Sequence, residues 1–282
     1  MMNDELIVVA DAKDGSLGGS PDLTSYRWIV VNSSGGKDSQ TALRFVVEAC
    51  DRAGVSRDRI VVSHQDLGRV EWQGTQELVR QQAAVYGLRV EIARYRNIKG
   101  EELGLLDYVR NRGRWMGPGA ARYCTSEFKR APGERIVRML YKESPGSVLN
   151  VLGFRADESP ARAARIPFCV NKRLTTASRL VHDWLPIFTW SSKQVWDDIT
   201  ISQVPHHKAY DLGMPRLSCA FCIFAPRNVL MIAGKHNPEL LAEYVAVEKE
   251  IGHTFQHNKP IAAIKAALEA GEQPGAVADW QM

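Results

Sequence analysis

The stretch Trp28-Ile29-Val30-Val31-Asn32-Ser33-Ser34-Gly35-Gly36-Lys37-Asp38-Ser39-Gln40-Thr41-Ala42-Leu43 decides the fold. A run of apolar, mostly β-branched residues reads as a strand buried on both faces. From Ser39 onward, SQTALRFVVEACDRAG spaces its apolar residues along one face of a helix and stops at Gly54. Working outward, RIVVSHQD is a second strand, GTQELVRQQAAVYG a second helix stopped by Gly87, and LRVEIARY a third strand. A helix near Glu101–Arg110 leads into the loop NRGRWMGPGAARYC, and another helix runs from about Ser126 to Tyr141. SVLNVLGF is a fourth strand. Alternation at this spacing predicts an α/β fold: a Rossmann-like, mostly parallel sheet with helices on both faces. Beyond it, Arg155–Lys172 reads as a long functional loop, HDWLPIFTW as a short strand, and SSKQVWDDIT as a helix capped by Ser191 or Ser192. From about Pro226 the chain reads as helical. Three segments are expected: an N-terminal arm at 1–26, a nucleotide-binding α/β domain at 27–190, and a C-terminal metal-binding and helical region at 191–282.

The loop between the first strand and helix carries the chemistry. Gly35 and Gly36 let the backbone approach an anion, and the N–H groups and positive dipole end of the helix suit a phosphate. Lys37 adds a point charge, and the hydroxyls of Ser34 and Ser39 add hydrogen bonds. The spacing G-x-x-x-x-G-K-[ST] is absent, so this is not a Walker A loop. GFRADESPARAAR places Arg155, Arg162 and Arg165 just after a predicted strand, where guanidinium forks match phosphate geometry; the structural alternative is a solvated basic loop. Lys129 and Arg130 are weaker candidates of the same kind.

Cys219 and Cys222 form a C-x-x-C, and Cys124 lies upstream. Such cysteines hold zinc, hold an iron–sulfur cluster, or act as a dithiol. His206 and His207, just before the pair, would complete a zinc site of three cysteines and one histidine. Cys50 reads as a buried small residue, and Cys169 as a possible fourth ligand. The basic stretch from Arg89 to Arg130, with Tyr95, Trp115 and Tyr123 interspersed, has the composition of a polynucleotide track; its plainer reading is a surface loop with core aromatics.

Composition limits the rest. The 282 residues are 45% hydrophobic and 24% charged, with net charge +4, which allows a real core and an anionic ligand without requiring nucleic acid. No run approaches the roughly 20 apolar residues of a membrane helix. The start MMNDELIVVADAKDG is acidic where a secretory signal is basic. Five cysteines are too sparse for a disulfide scaffold. A cytoplasmic protein without a membrane partner is expected.

SGGKDS resembles the pyrophosphate-binding loop of the PP-loop (adenine nucleotide α-hydrolase-like) superfamily. HQDLGRVEW, YCTSEFKRAP, GFRADESPARAAR and RLSCAFCIFA resemble its phosphoadenylyl-sulfate reductase-like branch, as do PIFTWSSKQVWDDI and AYDLGMPR. The resemblance covers about Arg27 to Asn228. It implies ATP bound at the carboxyl edge of the sheet, cleaved between its α and β phosphates with Mg²⁺ bridging them, and AMP transferred to an oxygen. It further implies that Lys37, Asp38, Asp66 and Arg155 are catalytic. The nucleotide would be bound by Ser34 to Ser39, Asp66, Gly153, Arg155, Arg162 and Arg165. Asp38 would organise metal or loop, and Asp66 would sit near ribose or metal.

Reductases of this branch that carry a cluster place two adjacent cysteines where this chain has Tyr123-Cys124. Three cysteines resemble instead the open-site clusters of sulfur-inserting tRNA thiolation enzymes. Cys124, Cys219 and Cys222 are therefore the expected ligands of a [4Fe-4S] cluster, with zinc as the alternative. No cysteine follows Cys222 in this sequence, where the reductases keep their nucleophile. The expected function is an ATP-dependent sulfurtransferase, similar to the sulfur-activating ATPase of DNA phosphorothioation. Its acceptor would be DNA, tRNA or a small molecule, and its partner a cysteine desulfurase or other sulfur donor. The alternatives are a sulfonucleotide reductase, and a nucleotide-binding subunit of a larger complex.

Overall fold

Strand β1 (Trp28–Asn32) takes the apolar run and lies in the middle of a six-stranded sheet of order β3-β2-β1-β4-β6-β5. Its neighbours are β2 (Ile60–Gln65) and β4 (Val148–Val151), both parallel to it, with Ile29 opposite Ile60 and Leu149. Strand β3 (Arg89–Ala93) lies outside β2. On the other side β6 (Val181–Trp184) pairs parallel with β4, and β5 (Phe168–Val170) closes the edge antiparallel to β6. The structure, a computed structural model, describes residues 19–117 and 122–277.

The helices are α1 (Lys37–Arg52), α2 (Thr75–Val85), α3 (Leu105–Arg112), the short α4 (Tyr123–Thr125), α5 (Ala131–Glu143), the short α6 (Pro160–Ala163), α7 (Ser192–Ser202), α8 (Arg227–His236), α9 (Pro238–Ile251) and α10 (Ile261–Glu269). The chain is thus an α/β protein built on a mostly parallel, Rossmann-like sheet surrounded by helices. Two elements differ from expectation. The segment Arg155–Lys172 is not one loop: Pro160 starts α6, whose cap Ser159 accepts from the Arg162 N–H, and β5 follows. The helix expected from Ser126 opens as a π-helical turn, Ser126–Arg130, before α5.

The chain forms two compact units. Of the described residues, the first comprises 19–64, Glu77–Ile92 and Gly133–His206; the second comprises Gln65–Gln76, 93–117, 122–132 and 207–277. A single cut at 190 does not reproduce this, because Val195 and Ile199 of α7 pack with Ala42 and Ile187 of the first unit. In the first unit Ile29, Val31, Ile60, Val62, Leu149 and Val151 of the sheet bury against Leu43, Val46 and Val47 of α1. Residues 1–18 of the expected arm lie outside the described residues, as do 118–121 of the Gly-rich loop and the last five residues. Residues 19–26 are not a loose arm, since Leu23 and Tyr26 are buried in the same core. The second unit has its own core, in which Trp72, Trp115, Phe128, Phe221, Tyr244 and Phe255 are buried.

Candidate functional site

In the first unit, strand order places β2 on one side of β1 and β4 on the other. The carboxyl ends of β1 and β4 therefore flank the point where an open α/β sheet forms its crevice. The loop after β1 is braced there. Ser33 N–H donates to the Ser63 carbonyl at 2.8 Å, and the His64 ring contacts the Ser33 carbonyl at 2.9 Å. Gly35 has φ +72°, a conformation glycine adopts without strain, and its N–H donates to Ser33 Oγ at 3.2 Å. Ser39 Oγ donates to the Gly36 carbonyl at 2.9 Å and accepts from Ser34 N–H at 3.2 Å. Helix α1 starts at Lys37 behind Gly36, which has no side chain to cap the first turn. An anion is the natural acceptor for such N–H groups.

The loop after β4 closes on this helix start. A Cβ on Gly153 would lie 2.8 Å from the Asp38 carbonyl oxygen and 3.0 Å from the Ser39 nitrogen, so only glycine permits the approach. Arg155 is 1% exposed. Its Nε donates to Asp38 Oδ1 at 2.6 Å, and its Nη1 donates to Asp157 and to the Trp190 carbonyl. These acids hold the Arg155 guanidinium above its usual pKa against the opposing effect of burial. Lys37 Nζ, also buried, lies 3.3 Å from Asp38 Oδ2. Asp38 therefore sits between two buried cations, and Arg155 acts on the loop through Asp38. Arg162 pairs with Glu158, and the guanidinium carbons of Arg162 and Arg165 lie 4.4 and 5.0 Å from the centroid of the Phe154 ring. Phe154 and Glu158 escaped the sequence reading; their place inside GFRADESPARAAR was the available signal.

Asp66 follows β2 and is 6% exposed. Its Oδ1 accepts from Gly68 N–H at 2.6 Å, and Oδ2 from Arg94 Nε at 2.8 Å. These contacts suit a strand-end cap with an arginine partner, and a carboxylate oxygen of Glu71 lies within 4.8 Å of one of Asp66, as acids that face a metal do.

In the second unit Cys124, Cys219 and Cys222 are each half-buried and pack against its core. Burial pushes the Cys219 thiol up to about 12; Lys129 opposes this, and Cys222, Glu71 and Cys124 add to it. Burial raises Cys222 as well. Lys129 is solvent-exposed, and its crowding is outweighed by Cys219, Glu71, Cys124 and Cys222, which together keep its ammonium charged. Three soft sulfur donors beside one cation fit a thiolate-bound zinc or iron–sulfur group better than a hard cation. The residues thus fit the implied group. Glu71 and Tyr244, whose charge or burial bears on these cysteines, were not singled out in the sequence, although Glu71 lies inside HQDLGRVEW; Tyr244 lies in no motif.

His207 does not complete the site as a zinc ligand: Nδ1 accepts from Ala209 N–H at 3.1 Å, and Nε2 contacts Thr75 Oγ1 at 3.1 Å. His206 packs edge-on against Trp196. Cys169 belongs to β5, opposite Asp183. Cys50 is buried in the first core, as expected. The aromatics of the Arg89–Arg130 stretch are packed inward: Trp115 and Tyr123 are buried, and Tyr95 stacks on Phe128 at 4.5 Å. Four of its arginines pair with acids, as Arg89 does with Glu91 and Glu143 and Arg110 with Glu250.

Residues 28–225 match the family described as the phosphoadenosine phosphosulfate reductase domain. The chain is 27% identical over 246 residues to an uncharacterized protein of Methanocaldococcus jannaschii, covering 85% of this chain and 45% of that protein. It is 28% identical over 136 residues to adenosine 5'-phosphosulfate reductase of Neisseria meningitidis, covering 47% and 50% respectively. The chain therefore spans about half the length of the curated relatives it matches. Among solved structures, the U34-tRNA thiolase NcsA from Methanococcus maripaludis with its [4Fe-4S] cluster resembles it with TM-score 0.46 and 12% identity. That match covers 89% of this chain and 74% of the thiolase. No described helix is long and apolar enough to cross a membrane.

Proposed function

Because the chain belongs to the phosphoadenosine phosphosulfate reductase domain family, we propose that it is a nucleotide-activating enzyme. In this reading it transfers AMP from ATP to an oxygen of a nucleic acid or small molecule, and that oxygen is then replaced by sulfur. The observation that carries the first half is the loop of residues 33–39, which opens α1 without a side-chain cap and is held from below by Lys37, Asp38 and Arg155. Phosphates of ATP would accept from the loop N–H groups and from Ser34 and Ser39. Asp38 would hold the loop and face the Mg²⁺ that travels with the nucleotide. Arg155 fixes Asp38, and Arg162 and Arg165, which stand on Phe154 in the segment after β4, are further cations for the phosphates. The second half rests on the sulfur donor set of Cys124, Cys219 and Cys222, which pack against one core and whose charges influence one another. A [4Fe-4S] cluster on Cys124, Cys219 and Cys222 would supply sulfur, with Lys129 beside it to balance negative charge. A cysteine desulfurase or similar donor would replenish the sulfur.

A second reading is favoured by the match to adenosine 5'-phosphosulfate reductase: reduction of a sulfonucleotide at the same loop. One experiment separates the two. Anaerobically purified protein is incubated with ATP and Mg²⁺, with and without tRNA, DNA or a thiol reductant and a sulfonucleotide, and the products are resolved. Acceptor-dependent AMP and pyrophosphate in equal amounts, lost in K37A, supports adenylation. Sulfite from a sulfonucleotide with no consumption of ATP refutes it and establishes the reductase.

A further inference from the structure

Tyr244 of α9 is 1% exposed and enclosed by aromatic rings. Trp115 stacks on it at 5.3 Å and 13°, and Phe255 meets it nearly edge-on at 5.7 Å. The Phe221 ring lies 5.0 Å away. Phe221 stands inside Cys219-Ala220-Phe221-Cys222, so Tyr244 abuts the residue that separates two of the site's sulfurs. Its hydroxyl is fully buried and has no hydrogen-bond partner among the described residues. A phenylalanine would fill this space without the cost of an unmet hydroxyl, and buried tyrosines ordinarily have a partner. A phenol is protonated at neutral pH, so this hydroxyl is able to donate.

Thiols are weak acceptors, whereas metal-bound thiolates and sulfides carry the charge that makes a strong one. We propose that the Tyr244 hydroxyl donates a hydrogen bond to a sulfur of the group held by Cys124, Cys219 and Cys222, and thereby sets its reduction potential. The inference rests on the reading of these cysteines as ligands of an iron–sulfur group. Tyr244 is then a positioning residue, acting through the sulfur it donates to. A donor aimed at a cluster sulfur stabilises the more negative, reduced charge state, so its loss lowers the potential.

The test compares wild type and Tyr244→Phe, purified anaerobically as the full chain. Iron, labile sulfide, the potential by spectroelectrochemistry and the melting midpoint of the metal-free protein are measured. The variant is expected to hold as much iron and sulfide as wild type and to show a more negative potential. Metal-free, it melts at the same or a higher temperature, because an unpartnered buried hydroxyl has been removed. Wild type alone supplies a second readout: iron–sulfur stretching bands that shift in D₂O, and that lose this sensitivity in the variant. An unchanged potential with unchanged isotope sensitivity overturns the proposal. So does a loss of metal-free stability without a shift in potential, which is the signature of a packing role, or a failure of the variant to hold iron. Absence of iron from wild type refutes the cluster reading itself, and this inference with it, before the variant is considered.

Discussion

Arg155 is a charge almost completely removed from water, and its partners decide what it does. Truncation to alanine leaves Asp38 facing Lys37 alone and strands Asp157. Because Asp157 is about half exposed, the expected cost is at the lower end for a broken buried pair, about 3 kcal/mol, read as a fall in the urea midpoint. Nucleotide affinity falls with it, since Asp38 loses its anchor. Gly153→Ala tests the neighbouring contact. A methyl group 2.8 Å from the Asp38 carbonyl oxygen must push the loop and helix apart, for about 2 kcal/mol and at least a tenfold loss of ATP affinity by calorimetry. Unchanged ATP binding in this variant removes the loop after β4 from the site. Both residues were legible as parts of a motif. The direction of the Arg155 guanidinium was not, because a basic loop in a sequence looks the same whether its arginines face phosphate or a buried acid.

At the scale of elements, the strands and most helices follow from periodicity, as β1 and α1 illustrate. Elements fixed by distant partners do not. Strand β5 has no pattern of its own and exists by pairing with β6, and the π-helical turn before α5 has no sequence signature in a stretch that otherwise reads as helix. Glu248 of α9 is a similar case. Buried, it accepts from the backbone N–H groups of Phe255, Ile261 and Ala262 at 2.6, 2.9 and 3.2 Å, tying the α9–α10 connection and the start of α10 to α9. Glu248→Ala should lower stability by about 3 kcal/mol and release α10 first, seen as faster amide exchange there than in α8. Equal exchange in the two helices contradicts this.

The link between residues 19–26 and β6 carries a pH signature. The Tyr26 hydroxyl is 2.7 Å from His182 Nδ1, and burial lowers the pKa of His182 below the ordinary 6.5 despite the opposing Asp183. The unfolded chain binds the proton more readily. Stability from this contact is therefore present above pH 6.5 and declines as pH falls through the lowered folded value. His182→Gln keeps an acceptor but cannot titrate. Its melting midpoint should fall less between about pH 7.5 and about pH 5.5 than that of wild type; an equal fall excludes His182 as the source.

At the scale of the molecule, the phosphate loop and the thiol place belong to different compact units, each with its own core. The separation predicts independent lesions. Lys37→Ala should abolish nucleotide binding and leave metal content intact, and Cys219→Ala should do the reverse; shared loss of one property in both variants contradicts it. The sequence made both places visible, because Gly-Gly-Lys-Asp and Cys-x-x-Cys are local patterns. It did not show that segments 65–76 and 93–132 fold with the C-terminal helices, which only long-range packing determines. Nor did it show that the aromatics of the basic stretch are core residues.

The most direct test of sulfur chemistry coupled to this nucleotide site is the iron, labile sulfide and zinc content of the anaerobically purified protein. About four irons and four sulfides per chain, lost in Cys219→Ala, are the predicted result. One zinc per chain with no iron or sulfide would contradict it and leave an adenylating domain with a structural metal.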